Sequence, residues 1–138
     1  IFKYRMEIQK TRGRKDGKNI VQIIDINAVV NDFLKFYFSN LKNSQLYITS
    51  KVISKFSEFR FNNKSYKENE IIELINSISN FKFSNFKYEH LDCGSRRIDI
   101  AVSANFIEND ITRNYIQTFL LCHKDDTWFI KNSIIMVI

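Results

Sequence analysis

Two side chains that could move a proton lie two residues apart on a strand-like stretch, and a third lies on a later one. His90 and Asp92 share a strand face, and Tyr115 begins another alternating stretch. Proton transfer at a substrate carbon needs such a base, with an opposing hydroxyl to stabilise the developing charge. Spacing alone does not bring the three side chains into one cavity. We therefore predict no catalytic residues, and a small-molecule enzyme is the alternative.

The thiol and imidazole groups do not follow a usual zinc-binding spacing. Cys93 lies three residues after His90, and Cys122 precedes His123 directly. A thiol in an apolar run usually packs as a small hydrophobic group. We predict two buried free cysteines, no metal and no other cofactor.

Basic residues concentrate at the start of the chain. Between Ile1 and Lys18, seven basic residues against two acidic ones give +5 of the formal +6. Two alternating stretches, Tyr4–Ile8 and Ile20–Ile24, flank an Asp16-Gly17 turn signal, which favours a β-hairpin. A phosphate-binding or nuclear-localisation patch and a solvated loop are both open interpretations. The candidate nucleic-acid patch comprises Lys10, Arg12, Arg14, Lys15 and Lys18.

The bulk composition is that of one globular domain without a membrane segment. The chain has 138 residues, of which 44% are hydrophobic and 26% charged. No run approaches the roughly 20 apolar residues of a membrane span, and Ile1–Lys18 is too charged for a signal peptide. We predict a basic extension or hairpin at 1–25, a single domain at 26–138 and no membrane partner.

Helical periodicity appears in three places after Asp25. Apolar residues recur at spacings of three and four from Ile26 to Leu41, with Asp25 or Asn27 as the cap. A short helix is predicted over Ser44–Ser50. A third helix begins near Glu68, where acidic side chains suit the helix dipole.

The other segments alternate with the period of β-strands. A strand over Lys51–Phe61 enters a turn, and four longer strands follow in the second half of the chain. Helices followed by a long antiparallel meander are typical of an α+β domain. The four later strands are predicted at Phe81–Asp92, Ile98–Phe106, Tyr115–His123 and Trp128–Ile138.

Three segments resemble the nuclear transport factor 2 (NTF2) family. Arg113–Leu121 is similar to the family's aromatic-x-Gln-x-Phe strand, Thr127–Asn132 to its closing strand, and Val30–Phe38 to its first helix. The resemblance spans Ile26–Ile138. It implies an NTF2-like cone, in which a curved antiparallel sheet packs on three helices around a pocket.

The nuclear members of this family use the fold to bind proteins. The resemblance implies a non-catalytic domain in nucleocytoplasmic transport, located in the nucleus, the cytoplasm and the nuclear envelope. It also implies binding of nucleoporin Phe-Gly repeats, and the basic extension favours the messenger-RNA export branch, with RNA as a further partner. A stress-granule scaffold and an isomerase or dehydratase on the same fold are the alternatives.

The resemblance also assigns two acidic residues to partner binding. In the carrier of the GTPase Ran, acidic residues before the Gln-bearing strand contact Ran, and Glu108 and Asp110 occupy those positions. A solvated acidic loop is the other interpretation. The carrier's pocket acid is replaced here, since Asn62 follows Phe61.

The last two strands carry apolar residues on both alternations, which is more than one covered face requires. We therefore predict a homodimer, or a heterodimer with another NTF2-like chain, through the sheet. The predicted interface residues are Tyr115, Gln117, Phe119, Trp128, Ile130 and Ile134.

Overall fold

The computed structural model describes the backbone of residues 8–12 and 20–138, and the side chains from Ile24 onward. Strands β1 and β2 pair as an antiparallel hairpin, with Ile8 opposite Ile24. Of the predicted first strand, Tyr4 to Ile8, only Ile8 lies within the described residues, where it belongs to β1. The elements are β1 (Ile8–Arg12), β2 (Ile20–Ile24), α1 (Ile26–Ser39), α2 (Gln45–Thr49), β3 (Glu58–Phe61), β4 (Lys64–Lys67), α3 (Asn69–Ile78), β5 (Lys82–Gly94), β6 (Arg97–Glu108), β7 (Ile111–Lys124) and β8 (Thr127–Val137).

The helices form where apolar residues recur at helical spacing. The Asp25 carboxylate accepts a hydrogen bond of 3.1 Å from the Ala28 backbone N–H, which caps α1 as predicted. One face of α1 and one face of α3 are buried, and Glu70 lies in the first turn of α3. None of the described helices has the length and hydropathy to cross a membrane.

The helices pack against a curved sheet of six strands in the order β4-β3-β8-β7-β6-β5. The sheet is mixed and not purely antiparallel, because β3 runs parallel to β8, with Phe59 opposite Ser133. A parallel pair needs a long connection, and all elements from β4 to β7 provide it. The register shifts near Asn85, Cys93 and Leu121 mark bulges, which bend strands and favour curvature.

Two-residue turns join the long strands. At the β6–β7 and β7–β8 turns both central residues have positive φ, and they are Asn109, Asp110, Asp125 and Asp126. Asn and Asp adopt this conformation more readily than other non-glycine residues, and such turns match the twist of the strands they join. The predicted α+β class, with a curved sheet packed on helices, is confirmed, and the parallel pairing of β3 with β8 corrects the prediction of an antiparallel sheet.

Candidate protein interface

The strands β7 and β8 present one face to the helices and the other to solvent. Tyr115, Gln117, Phe119, Trp128 and Ile130 point to the helices and are at most 1% exposed. Five of the six predicted interface residues are therefore core residues. Their side chains are covered within one chain and cannot form a contact between chains.

Gln117 is the centre of a buried polar network. Its Nε2 donates to the Tyr37 hydroxyl at 3.0 Å and to Ser133 Oγ at 2.8 Å, and its Oε1 accepts from the Tyr115 hydroxyl at 2.5 Å. The Tyr47 hydroxyl donates to the Tyr37 carbonyl oxygen. Burial raises the pKa of Tyr37, Tyr47 and Tyr115, so these phenols stay neutral hydrogen-bonding groups. The amide oxygen and nitrogen of Gln117 are thus hydrogen-bonded within the chain.

The opposite face of the same strands carries an apolar stripe. Ile134 and Met136 are each 47% exposed, and Ile116 and Leu120 on β7 are half-buried beside them. Leu91 on β5, which is 65% exposed, lies on the same face and is separated from Leu120 by Asp99 of β6. We call these five residues the outer stripe. Only Ile134 was named from the sequence, although the alternation of β8 also places Met136 on its face.

The outer stripe borders a shallow groove with a volume of about 640 Å³. Its lining combines apolar residues such as Leu91, Leu120 and Ile134 with polar ones, among them Asp99 and Asn132. At the β3–β4 side the outer face becomes charged, where Glu58 pairs with Arg60 at 3.4 Å and with Lys67 at 3.7 Å. Hydrogen bonding from Ser65, with these cations, lowers the pKa of Glu58. An apolar centre with a charged border is the usual composition of a protein interface.

Glu108 lies in a second concave site. It is half-buried at the end of β6 and lines a pocket of about 350 Å³ together with Asn62, Phe106 and Arg113. Asp110 is exposed in the following turn. The structure thus brings to one pocket Glu108 and Asn62, for which the sequence predicted no contact.

The predicted basic patch is only partly covered by the described residues. Lys10 and Arg12 belong to β1 of the hairpin. Arg14, Lys15 and Lys18 lie outside the described residues. The hypothesis of a phosphate-binding patch therefore stays a prediction.

The three residues considered for acid–base chemistry are not assembled. His90 and Asp92 are exposed on the edge strand β5, whereas Tyr115 is buried. Asp92 pairs with Ile98 and Tyr115 pairs with Ala104. Those partners are six residues apart on β6, which is about 20 Å at the usual rise of a strand.

The prediction of two buried cysteines is wrong on burial. Both thiols are free, but Cys93 is exposed and Cys122 is half-buried. Cys93 lies near the end of the edge strand β5, where the side chains are exposed on both faces of the sheet. Cys122 lies on the outer face of β7. The Cys93 thiol is 3.3 Å from Asp99 Oδ2, and this hydrogen bond raises its pKa.

His123 is half-buried and not fully exposed as its position at a strand end suggested. Its ring lies 5.0 Å from that of Trp128, and Nδ1 is 3.3 Å from Arg96 Nη1. Burial, and then the Arg96 charge, lower the pKa of His123. The imidazole is therefore held in its neutral form.

No protein-family model and no curated protein sequence matches the chain. Solved structures do. The yeast Ubp3-associated protein Bre5 superposes with a TM-score of 0.63 at 17% identity, covering 84% of this chain and 98% of that one. Bre5 also appears in a complex of the yeast deubiquitinase Ubp3 with its Bre5 cofactor, at a TM-score of 0.60, 16% identity and coverage of 82% and 96%.

An NTF2-like protein from Cytophaga hutchinsonii superposes with a TM-score of 0.63 at 10% identity, covering 83% of this chain and all of that one. At these identities the likeness concerns the fold and not the function. The chain therefore has an NTF2-like fold.

Proposed function

We propose that this chain is a non-catalytic protein-binding domain that pairs through the outer face of its sheet with itself or with another NTF2-like chain. The outer stripe carries the proposal. Ile134 and Met136 remain 47% exposed in the single chain, next to a groove of about 640 Å³. Exposed apolar side chains grouped on one sheet face, with polar residues between and around them, are typical of an interaction site.

The filled interior of the cone supports a function without catalysis. Aromatic rings occupy the space between α1 and β7, with Phe119 5.0 Å from Phe33 and 4.9 Å from Tyr37. The polar groups there, on Gln117 and Tyr115, are hydrogen-bonded to each other. A substrate would need an open pocket with free polar groups. Among the described residues, the interior around Gln117 offers the enzymatic alternative neither an open pocket nor free polar groups.

Within protein binding, we assign the chain to nucleocytoplasmic transport, with a preference for messenger-RNA export. This rests on the family resemblance of Arg113–Leu121 and on the basic residues before α1. Nucleoporin Phe-Gly repeats are the expected partners, and the chain would be found in the nucleus, the cytoplasm and the nuclear envelope. Ran is a further candidate through Glu108 and Asp110, and RNA through Lys10–Lys18.

A second candidate function follows from the structural neighbours. Bre5 is a cofactor of the deubiquitinase Ubp3, and this chain covers 98% of the Bre5 structure. We therefore consider an accessory subunit of a partner enzyme, or a scaffold of the stress-granule type. In both cases the outer stripe would still serve for pairing.

Sedimentation of the purified chain tests the pairing. A dimer, or a monomer that aggregates until a related chain is added, is expected. A well-behaved monomer from about 1 to 100 µM, a range that includes ordinary dimer affinities, contradicts the proposal.

Affinity purification followed by mass spectrometry separates the candidate roles. Transport predicts nucleoporins or export factors among the bound proteins, and the accessory role predicts an enzyme.

RNA binding by the full chain and by a deletion of Thr11–Gly17, at two salt concentrations, tests the basic patch, since phosphate contacts weaken steeply with salt.

A further inference from the structure

A larger groove lies on the inner side of β5, away from the outer stripe. Its volume is about 910 Å³, and it separates α1 and the loop after α1 from the first half of β5. Phe38, Phe83 and Phe86 form its apolar floor, with ring centroids 4.9 to 5.8 Å apart. Phe86 is 46% exposed although it lies within this aromatic cluster. Exposed rings in a concave site are available for contact with a ligand.

The rim of the groove carries positive charge. Lys35 on α1 and Lys42 in the loop after it are both exposed. No carboxylate is found among the described residues that line the groove. The uncharged polar groups of the rim include Asn31, whose side-chain oxygen accepts a hydrogen bond from the Tyr88 hydroxyl. A ligand that fits this surface has an apolar centre and negative ends.

Among the described residues, no strand pairs with the outer edge of β5, and the groove also borders this edge. The strand β5 is the last in the order of the sheet, and it is 13 residues long. From Lys87 to Gly94 its side chains are exposed on both faces. The opposite edge strand, β4, has only four residues and carries Lys64 and Lys67, which are features that discourage strand addition. Strand β5 also carries Lys82, Lys87 and two bulges, but from Lys87 to Asp92 it pairs with β6 without a register shift, and this regular stretch is long enough to accept an extended peptide at its other edge.

We propose that this groove and the edge of β5 together bind an extended peptide with large apolar side chains flanked by Asp or Glu. The peptide adds as a further strand to β5, and its inward side chains contact Phe86 and Phe38. Its acidic ends lie near Lys35 and Lys42. The inference rests on the proposed protein-binding function but uses another surface, which meets the outer stripe at Leu91 of β5.

Peptide titration tests the proposal on the full chain. The probe is a fluorescently labelled peptide, Glu-Asp-Phe-Thr-Phe-Thr-Leu-Asp-Glu, measured by anisotropy. Replacing its apolar residues by Ser, or its acidic residues by Lys, should weaken binding about tenfold or more, because each removes a major source of affinity. Methylation of alternate backbone nitrogens should weaken binding as strongly, since a methylated amide cannot donate to β5. Equal binding of the methylated and unmodified peptides would overturn the proposal.

Protein variants locate the site. Phe86→Ser should weaken peptide binding about tenfold, and the double variant Lys35→Glu, Lys42→Glu should weaken it mainly at low salt. Phe56→Ser is the matched control, because Phe56 is 57% exposed and lies between Lys55 and Lys124, outside the groove. Equal losses for Phe86→Ser and Phe56→Ser would refute the location. Binding of dodecanoate in place of the peptide would refute the choice of ligand.

The two proposals fail separately. Ile134→Lys on the outer stripe should remove pairing and leave peptide affinity within about twofold, as expected for sites without shared partners. A monomeric chain that still binds the acidic peptide would refute pairing and support the groove. A dimeric chain that binds none of the peptides would support pairing and refute the groove.

Discussion

The inner and outer faces of β7 and β8 are both rich in apolar residues, yet they differ in what their side chains contact. On the inner face, Gln117 and Tyr115 are buried and hydrogen-bonded within one chain. On the outer face, Ile134 and Met136 remain half exposed. The inner face accounts for the stability of the single chain, and the outer face has apolar surface left over. Changes on the two faces should therefore affect different measurements.

The largest effect on stability is expected from Gln117→Leu. The variant replaces the amide by an apolar side chain of similar size, which leaves the Tyr115 hydroxyl without its acceptor and the Tyr37 hydroxyl without a donor. A buried polar group without a partner costs roughly 1–3 kcal/mol, so a loss of about 2–4 kcal/mol in the free energy of unfolding is expected. Urea denaturation measures it. Gln45→Leu on the exposed surface of α2 is the matched control, and equal losses in both variants would contradict the role of the network.

Ile134→Lys should produce the opposite pattern. It places a charge in the outer stripe, so the dimer should dissociate, while the unfolding free energy of the monomer changes by less than about 0.5 kcal/mol. Sedimentation velocity and urea denaturation give the two values. Ile111→Lys is the control, since Ile111 is also exposed but lies outside the stripe. Dissociation by both variants would show a general effect of added charge.

The double variant Glu108→Lys, Asp110→Lys tests the acidic site at the β6–β7 turn, which lies at the margin of both faces. The stability should again change by less than about 0.5 kcal/mol, because Asp110 is exposed and Glu108 only half-buried. If the carrier-like hypothesis holds, binding to Ran loaded with GDP is lost. Absence of Ran binding by the unmodified chain would end that hypothesis without affecting pairing.

The smallest effect is a pH dependence from His123. Because burial and Arg96 hold its pKa below the ordinary value, the unfolded chain binds a proton more readily than the folded one. The stability linked to neutral His123 is therefore fully present above the unfolded pKa of about 6.5 and is lost as the pH falls from there through the lower folded pKa. His123→Gln should flatten the stability profile between pH 7 and 5. An unchanged profile would show that His123 does not contribute.

The order of the elements was predictable because each depends on a local repeat. The spacing of three and four residues in α1 and the strict alternation in β6 require no knowledge of distant residues. Which alternation of β7 faces the helices was not predictable, because both are apolar and the sequence contains no direct information on what covers them. The assignment of Gln117 to an interface failed for this reason.

Two further features depend on distant partners. The parallel pairing of β3 with β8 joins Glu58 to Asn132, and no local pattern indicates strand direction. The strand character of β5 was predicted, but the exposure of Phe86 was not. It follows from α1 covering only part of the sheet.

The pairing of β3 with β8 also has a consequence for synthesis on the ribosome. Phe59 and Ser133 are opposite each other but 74 positions apart in the chain, and the Ser57 hydroxyl donates to the Ile130 carbonyl oxygen. The hairpin of β3 and β4 therefore has no neighbour in the sheet until β8 leaves the exit tunnel. During elongation the edge of β3 that pairs with β8 in the finished sheet stays open. Exposed strand edges favour aggregation at this stage. We expect a nascent chain arrested before β8 to depend on chaperones, and release of β8 to end that dependence.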